Sequence, residues 1–297
     1  MKEYPVNFVE LPNGERLAYR CAGHAERKLL LVHGNLSSSV HWQRVIEQFE
    51  PYFTIYAPDM RGYGESSYNK SFDSLRELAE DIEAFVNLLE IDSFSVVGWS
   101  TGGAVALELA ANLGERIEKL VLLDAVPPTG FPMFKKDENG MAIHSQLLET
   151  KEEIAADPVQ IIPVLEAFKS GNRDVLRRIW DSAMYNLNQP PQEEYERFID
   201  GMMQQRNLVD AYYALLTINM TSRVGRSAVG SGRLERVKCP IVMLHGEKDL
   251  VIPFSWAQAT VELIGEKAKL ISFPNCGHSP HTDEPETVLA ALKENLL

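Results

Sequence analysis

A serine flanked by glycines, Gly98-Trp99-Ser100-Thr101-Gly102, sits where one apolar run gives way to another. Phe94-Ser95-Val96-Val97 precedes it and Gly103-Ala104-Val105-Ala106-Leu107 follows. Strand, sharp turn and helix in that order place the serine at the apex. The backbone there is strained, and the positions two residues to either side must lack bulk. Such a turn lifts the Ser100 hydroxyl above a sheet and beside a helix N-terminus, where backbone N–H groups favour an anion. The chemistry this suggests is nucleophilic attack on a carbonyl. A serine hydroxyl is a weak nucleophile, so it needs a base and a group that orients the base.

The chain offers seven histidines. His278 lies in Asn275-Cys276-Gly277-His278-Ser279-Pro280, after the strand-like Lys269-Leu270-Ile271-Ser272-Phe273. Gly before it and Pro after it mark a loop at a strand end, from which an imidazole can reach over a site. Asp249 lies in a similar loop, His245-Gly246-Glu247-Lys248-Asp249, after the apolar Ile241-Val242-Met243-Leu244. Serine, aspartate and histidine then follow in the chain order of a hydrolase built on a parallel sheet. Asp124, at the end of Leu120-Val121-Leu122-Leu123, competes for the acid role, and Asp249 is preferred. His33 is read as a structural ring that holds the adjoining loop, and His245 is given no catalytic role. His281 is read as the exposed start of a helix, and His24, His41 and His144 as surface residues. Cys276 has no partner at zinc-ligand spacing, so no metal site is expected.

The elements that would carry these loops alternate along residues 1–125. Strand-like runs are Leu17–Arg20, Leu29–Val32, Phe53–Ala57, Phe94–Val97 and Leu120–Leu123, with a hairpin at Asn13-Gly14. A helix is expected after Asp73 as N-cap, because Leu75, Leu78, Ile82, Phe85, Val86 and Leu89 recur at spacings of three and four. Short apolar strands separated by helices imply a parallel sheet covered on both faces. The run after Ser100 is apolar nearly all round, as a buried central helix requires. The alternation stops at Val126-Pro127-Pro128, and no strand pattern is seen before about Val237. Helices are expected over Glu152–Ser170, Asp174–Tyr185 and Glu193–Met220. Residues 126–236 therefore read as a helical cap inserted into a core of residues 1–125 and 237–297. The cap is rich in Met and aromatic residues, some of which should roof a pocket.

Taken together these motifs resemble the α/β-hydrolase superfamily over nearly the full chain. The likeness rests on Leu29-Leu30-Leu31-Val32-His33-Gly34-Asn35, on Ala57-Pro58-Asp59-Met60-Arg61-Gly62-Tyr63-Gly64-Glu65-Ser66, and on the Ser100, Asp249 and His278 loops. The resemblance implies that the N–H groups of Asn35 and Thr101 form an oxyanion hole, and that Asp59 caps loop backbone. It implies ester hydrolysis through an acyl-enzyme on Ser100, with His278 as base and Asp249 as its partner, and with no cofactor. A serine at the elbow departs from the aspartate of haloalkane dehalogenases and epoxide hydrolases. Lactonases, C–C bond hydrolases and perhydrolases share the triad, and some members of the fold bind ligands without catalysis. Within the superfamily the chain is similar to Bacillus-type intracellular esterases, including short-chain polyhydroxyalkanoate depolymerases. That similarity lies in the elbow, in Asn188-Gln189-Pro190 and in Met202-Met203-Gln204-Gln205-Arg206-Asn207.

Bulk composition agrees with a globular enzyme. The 297 residues are 45% hydrophobic and 24% charged, enough for a large core. A net charge of −13 argues against nucleic acid and anionic membranes as partners and says little about a small neutral substrate; a small-molecule ester is the partner that the resemblance implies. Three cysteines without paired spacing fit a reducing compartment, and no apolar run spans a bilayer. A cytoplasmic location is expected.

Overall fold

The computed structural model describes residues 2–297. Ten strands form: β1 (Val6–Glu10), β2 (Arg16–Ala22), β3 (Lys28–Val32), β4 (Thr54–Pro58), β5 (Phe94–Trp99), β6 (Ile117–Leu123), β7 (Phe134–Lys136), β8 (Ala142–Leu147), β9 (Ile241–Gly246) and β10 (Ala268–Phe273). Eight of them make one sheet in the order β1-β2-β4-β3-β5-β6-β9-β10. β1 and β2 pair antiparallel through the Asn13-Gly14 turn, where Gly14 has φ +87°. β2 also meets β4 antiparallel, and every later pairing in the sheet is parallel.

Alternation along the parallel strands divides the core. Leu30, Val96, Leu120 and Leu122 join α2 (Leu75–Leu88), α3 (Thr101–Leu113) and α9 (Phe254–Ile264) in one apolar layer. Leu31, Val97, Val121 and Leu123 join α1 (Gln43–Phe49) and α11 (Pro285–Leu296) in the other. Such strands bury both faces, hence their near-continuous Val and Leu. α3 is buried from Thr101 to Ala111, as its unbroken apolar run requires. α2 begins one residue later than expected. Ser74 is the N-cap, closing a capping box with Glu77, and Asp73 lies outside it, paired with Lys151.

Between β6 and β9 the chain leaves the sheet. β7 and β8 form a small antiparallel hairpin there, against the expectation that this segment holds no strand. The Asp137 carboxylate shapes its turn by accepting the N–H groups of Asn139 and Met141. A two-stranded ribbon outside the core needs no apolar run, so periodicity does not reveal it. The expected helix over Glu152–Ser170 is two, α4 (Lys151–Ala155) and α5 (Ile162–Ser170). Asp157-Pro158 breaks it, since proline disfavours helical backbone before itself. α6 (Arg173–Ala183) stands where expected. The third is again two, α7 (Gln192–Met203) and α8 (Leu208–Thr217), parted at Gln204–Asn207. Among the described residues no helix is long and apolar enough to cross a membrane. Cys21, Cys239 and Cys276 are unpaired.

Two histidines read as surface residues are inside. His41 stacks on Phe198 with ring centroids 4.2 Å apart, and His281, in the short α10 (Pro280–Asp283), meets the edge of Trp99 at 5.0 Å. Pro280 and Asp283 tuck that turn inward: the Asp283 carboxylate accepts the N–H of Gly277 and of Asn188. Burial holds both imidazoles neutral, lowering His41 well below its ordinary 6.5 and His281 to about 3. Unfolding frees these rings to take up protons below about pH 6.5. The folded state is therefore fully favoured above that value and loses ground as the pH falls. His281 alone should cost about 1 kcal/mol of stability between pH 6 and pH 5, with His41 acting in the same direction. Urea melts at pH 7, 6 and 5 check this, and a stability flat across that range would refute it.

Candidate active site

The loops leaving β3, β5, β6, β9 and β10 all lie at the carboxyl ends of parallel strands, the edge where open α/β sheets place their ligands. Asn35, Ser100, Asp124, Asp249 and His278 are carried there. At the β5–α3 turn Ser100 has φ +54° and ψ −120°, a conformation L-residues rarely adopt. The flanking glycines answer a hard steric limit. A Cβ at position 98 would stand 2.4 Å from the Gly102 carbonyl oxygen, and one at 102 would stand 2.2 Å from that of Val32.

His278 Nε2 lies 2.9 Å from Ser100 Oγ, and His278 Nδ1 lies 2.7 Å from Asp249 Oδ2. The other Asp249 oxygen accepts the N–H of Val251 at 2.7 Å and of Ile252 at 2.9 Å, fixing the carboxylate plane. Burial alone would raise the Asp249 pKa. The His278 imidazole beside it outweighs burial, and the group stays ionised below its ordinary range. Trp99 packs rather than lining the cavity, and its indole N–H donates to the His278 carbonyl oxygen at 2.9 Å. The residue before Ser100 thus secures the backbone of the histidine loop.

The rival acid, Asp124, touches neither His278 ring nitrogen. It is fully buried at the end of β6, with φ +40°, and accepts the Gly246 N–H at 2.9 Å. Burial and the nearby Asp249 charge push its pKa well above the ordinary value. Asp124, His245 and Asp249 bring potential ligand atoms within 4.8 Å of one another, a grouping the sequence spacing did not suggest. Its open donors are few. Both Asp249 oxygens are engaged, as is His245 Nε2, which lies 2.9 Å from the Ile252 carbonyl.

His33 ties two loops together. It accepts the Met60 N–H at Nε2, so Nδ1 carries the proton and donates to the Gly34 carbonyl at 2.8 Å. The Asp59 carboxylate accepts the N–H of Ser39 at 2.7 Å and of Glu65 at 3.0 Å. The Asn35 side chain is held as firmly. Its Oδ1 accepts the Tyr63 hydroxyl at 3.0 Å and the Gln205 amide at 2.8 Å, while Gln205 Oε1 accepts the Leu36 N–H at 2.9 Å. Gln205 comes from the break between α7 and α8, and Leu36 has φ +51°. Sequence reading missed Gln205 and the strained Leu36. The one available signal was the polar cluster Gln204–Asn207 interrupting a helical pattern. Among the described residues the N–H groups of Asn35 and Thr101 donate to no other group of the chain.

A cavity of about 370 Å³ opens over Ser100 and His278. The segment between β6 and β9 supplies most of its wall, including Phe131, Val164, Ile179, Trp180, Met184 and Tyr212. The polar lining is Asn35, Ser100, Gln160, Ser182, Tyr212 and His278, with no Asp, Glu, Lys or Arg. Of the Met and aromatic residues of this segment, Trp180, Met184 and Tyr212 line the cavity, whereas Tyr185, Met202 and Met220 are buried and do not.

The α/β-hydrolase fold family matches residues 28–285. The chain belongs to the α/β-hydrolase family. A pimeloyl-[acyl-carrier protein] methyl ester esterase of Nitrosomonas europaea is 28% identical to this α/β-hydrolase, over 87% of this chain and 91% of its own. A bifunctional esterase/perhydrolase of Acinetobacter calcoaceticus is 25% identical over 95% and 96%. The solved structure of an esterase from Exiguobacterium antarcticum has the same fold, with a TM-score of 0.72, 20% identity and 98% of each chain covered.

Proposed function

We propose that this α/β-hydrolase is a serine esterase of small, uncharged carboxylic esters, working through Ser100, His278 and Asp249. One observation carries the reading: the Ser100 hydroxyl lies 2.9 Å from an imidazole whose other nitrogen lies 2.7 Å from a buried carboxylate, at the floor of an apolar cavity. The relatives named as esterases support it. His278 takes the Ser100 proton as Oγ attacks the ester carbonyl. Asp249 keeps the ring in the tautomer with its proton on Nδ1 and stabilises the cation that forms. The N–H groups of Asn35 and Thr101 meet the oxyanion. His278 then returns the proton to the departing alcohol. Water, activated by the same base, releases the acid. Segment 126–236 acts as the cap, and its lack of charged lining favours neutral acyl groups over anionic ones, which would enter without a counter-charge. Hydrogen peroxide could replace water at the second step, as the name of the Acinetobacter relative suggests.

A panel of p-nitrophenyl esters of increasing acyl length tests the reading. Each methylene that still fits should raise kcat/KM by a few-fold, about 0.8 kcal/mol, with a reversal at short to medium length once the closed cavity is full. Met184→Ala should move that optimum to longer chains. A fluorophosphonate probe should label Ser100 in both proteins. Absence of labelling and turnover would make this a ligand-binding member of the fold instead.

The oxyanion role separates backbone from side chain. Asn35→Ala keeps the N–H but strands two buried donors, from Tyr63 and Gln205, so kcat should fall about 10-fold. Asn35→Pro removes the N–H as well and should cost about 10²-fold or more. Gln205→Ala should resemble Asn35→Ala. Near-complete loss in Asn35→Ala alone would mean that its amide touches the substrate.

A further inference from the structure

Asp124 has no part in the steps above, yet it is the most completely enclosed acid beside them. Its Oδ1 accepts the Gly246 N–H, and its Oδ2 has no partner. The groups facing it are all electron-rich. His245 Nε2 lies 2.9 Å from the Ile252 carbonyl, which can only accept, so Nε2 bears the ring proton. His245 Nδ1 is then a bare lone pair, without a partner and 3.6 Å from Asp124 Oδ1. Asp249, whose charge the His278 imidazole favours, brings a carboxylate oxygen within 4.8 Å of the Asp124 carboxyl group. Asp283 and Cys276 complete the titratable surroundings, the first an acid and the second a thiol that burial pushes up to about 12. Neither supplies positive charge. Two ionised carboxylates here would repel each other in a medium that screens poorly. A metal ion would need three or four open donors, and only Asp124 Oδ2 and His245 Nδ1 are open.

We propose that Asp124 is kept as a neutral carboxylic acid whose Oδ2–H donates to the Asp249 carboxylate, making it a positioning residue for the acid of the triad. The proposal rests on the triad reading above. The added O–H joins the two backbone N–H groups already on Asp249, so the carboxylate that orients His278 has little freedom left. Neutrality matters as much as the bond. A second negative charge behind Asp249 would lie unpaired in a buried, poorly screened site and repel the carboxylate that orients the His278 ring. Burial and the Asp249 charge act in the required direction on Asp124.

Infrared difference spectroscopy reads the proton directly. At neutral pH the native protein should show the carbonyl stretch of a protonated carboxylic acid, and Asp124→Asn should lack it. Kinetics on a short-chain p-nitrophenyl ester read the consequence. Asp124→Leu removes the donor at similar bulk and should lower kcat about 10-fold or more with little change in KM. Asp124→Asn replaces the O–H by an amide N–H. It should restore most of that loss and keep the acidic limb of kcat/KM at the native pH. The proposal is overturned if the native protein lacks the acid band. It is equally overturned if Asp124→Asn moves the acidic limb to lower pH, as removal of a negative charge would. If Asp124→Leu does not fold, the band and the Asp124→Asn profile decide. A protein that shows the band but hydrolyses no ester would refute the esterase reading and leave the protonation state standing.

Discussion

Replacing Ser100 by Ala should lower kcat for ester hydrolysis on the order of 10³-fold or more while the protein stays folded. The side chain lost is one hydroxyl at the floor of a cavity, so little packing goes with it. What disappears, on the proposed mechanism, is the atom that attacks the carbonyl. Binding and the two oxyanion N–H groups remain, and with them a residual rate above water. Alanine at a φ of +54° bears the strain that serine already bears, so the thermal midpoint should move little. Steady-state kinetics beside a thermal melt would check both halves. More than a few per cent of native turnover in a clean preparation would remove Ser100 from the mechanism.

Asp249→Asn should cost about 10³- to 10⁴-fold in kcat, for a reason legible in the hydrogen bonds. The oxygen that now accepts the Val251 and Ile252 N–H groups must remain an oxygen, since an amide NH₂ there would face two donors. The NH₂ of the new residue is therefore turned toward His278 Nδ1. That nitrogen must then accept, which moves the ring proton to Nε2, opposite Ser100. The base arrives already protonated where it should be empty. Asp124→Asn imposes no such inversion and should cost far less. If the two variants ranked the other way, the orienting acid would be the one at the end of β6.

The loops of the site could be picked from the sequence because their signals are local. Gly98 and Gly102 answer a steric limit inside one turn, and Gly277 and Pro280 punctuate one loop. The parallel sheet showed in its apolar runs for the same reason: strands buried on both faces leave no polar alternation. Other features depend on contacts between distant stretches of chain. His41 and His281 looked like surface residues because the rings that cover them come from distant stretches of chain, Phe198 on His41 and Trp42 and Trp99 on His281. The breaks at Asp157-Pro158 and Gln204–Asn207 interrupt helices whose apolar spacing continues across them. The proline could have marked the first. The second is explained only by where Gln205 goes, and Asn35 is 170 positions away. The preference for Asp249 over Asp124, by contrast, rests on local residue types, Gly246, Asp249 and Pro253 in one loop, and Asp249 lies 2.7 Å from the imidazole.

Gln205 has a consequence for any attempt to treat this protein as two exchangeable parts. A segment inserted between two strands invites recombination: lift it out, splice in that of a relative, and change what the enzyme accepts. Here the transplanted piece would take with it the side chain that accepts the Leu36 N–H and donates to Asn35. A chimera could therefore fold, close over its pocket and still turn over slowly, with a fault in the recipient half. Lineages that alter the α7–α8 break must adjust the loop after β3 in step, so the two stretches are expected to vary as one unit although most of the chain separates them.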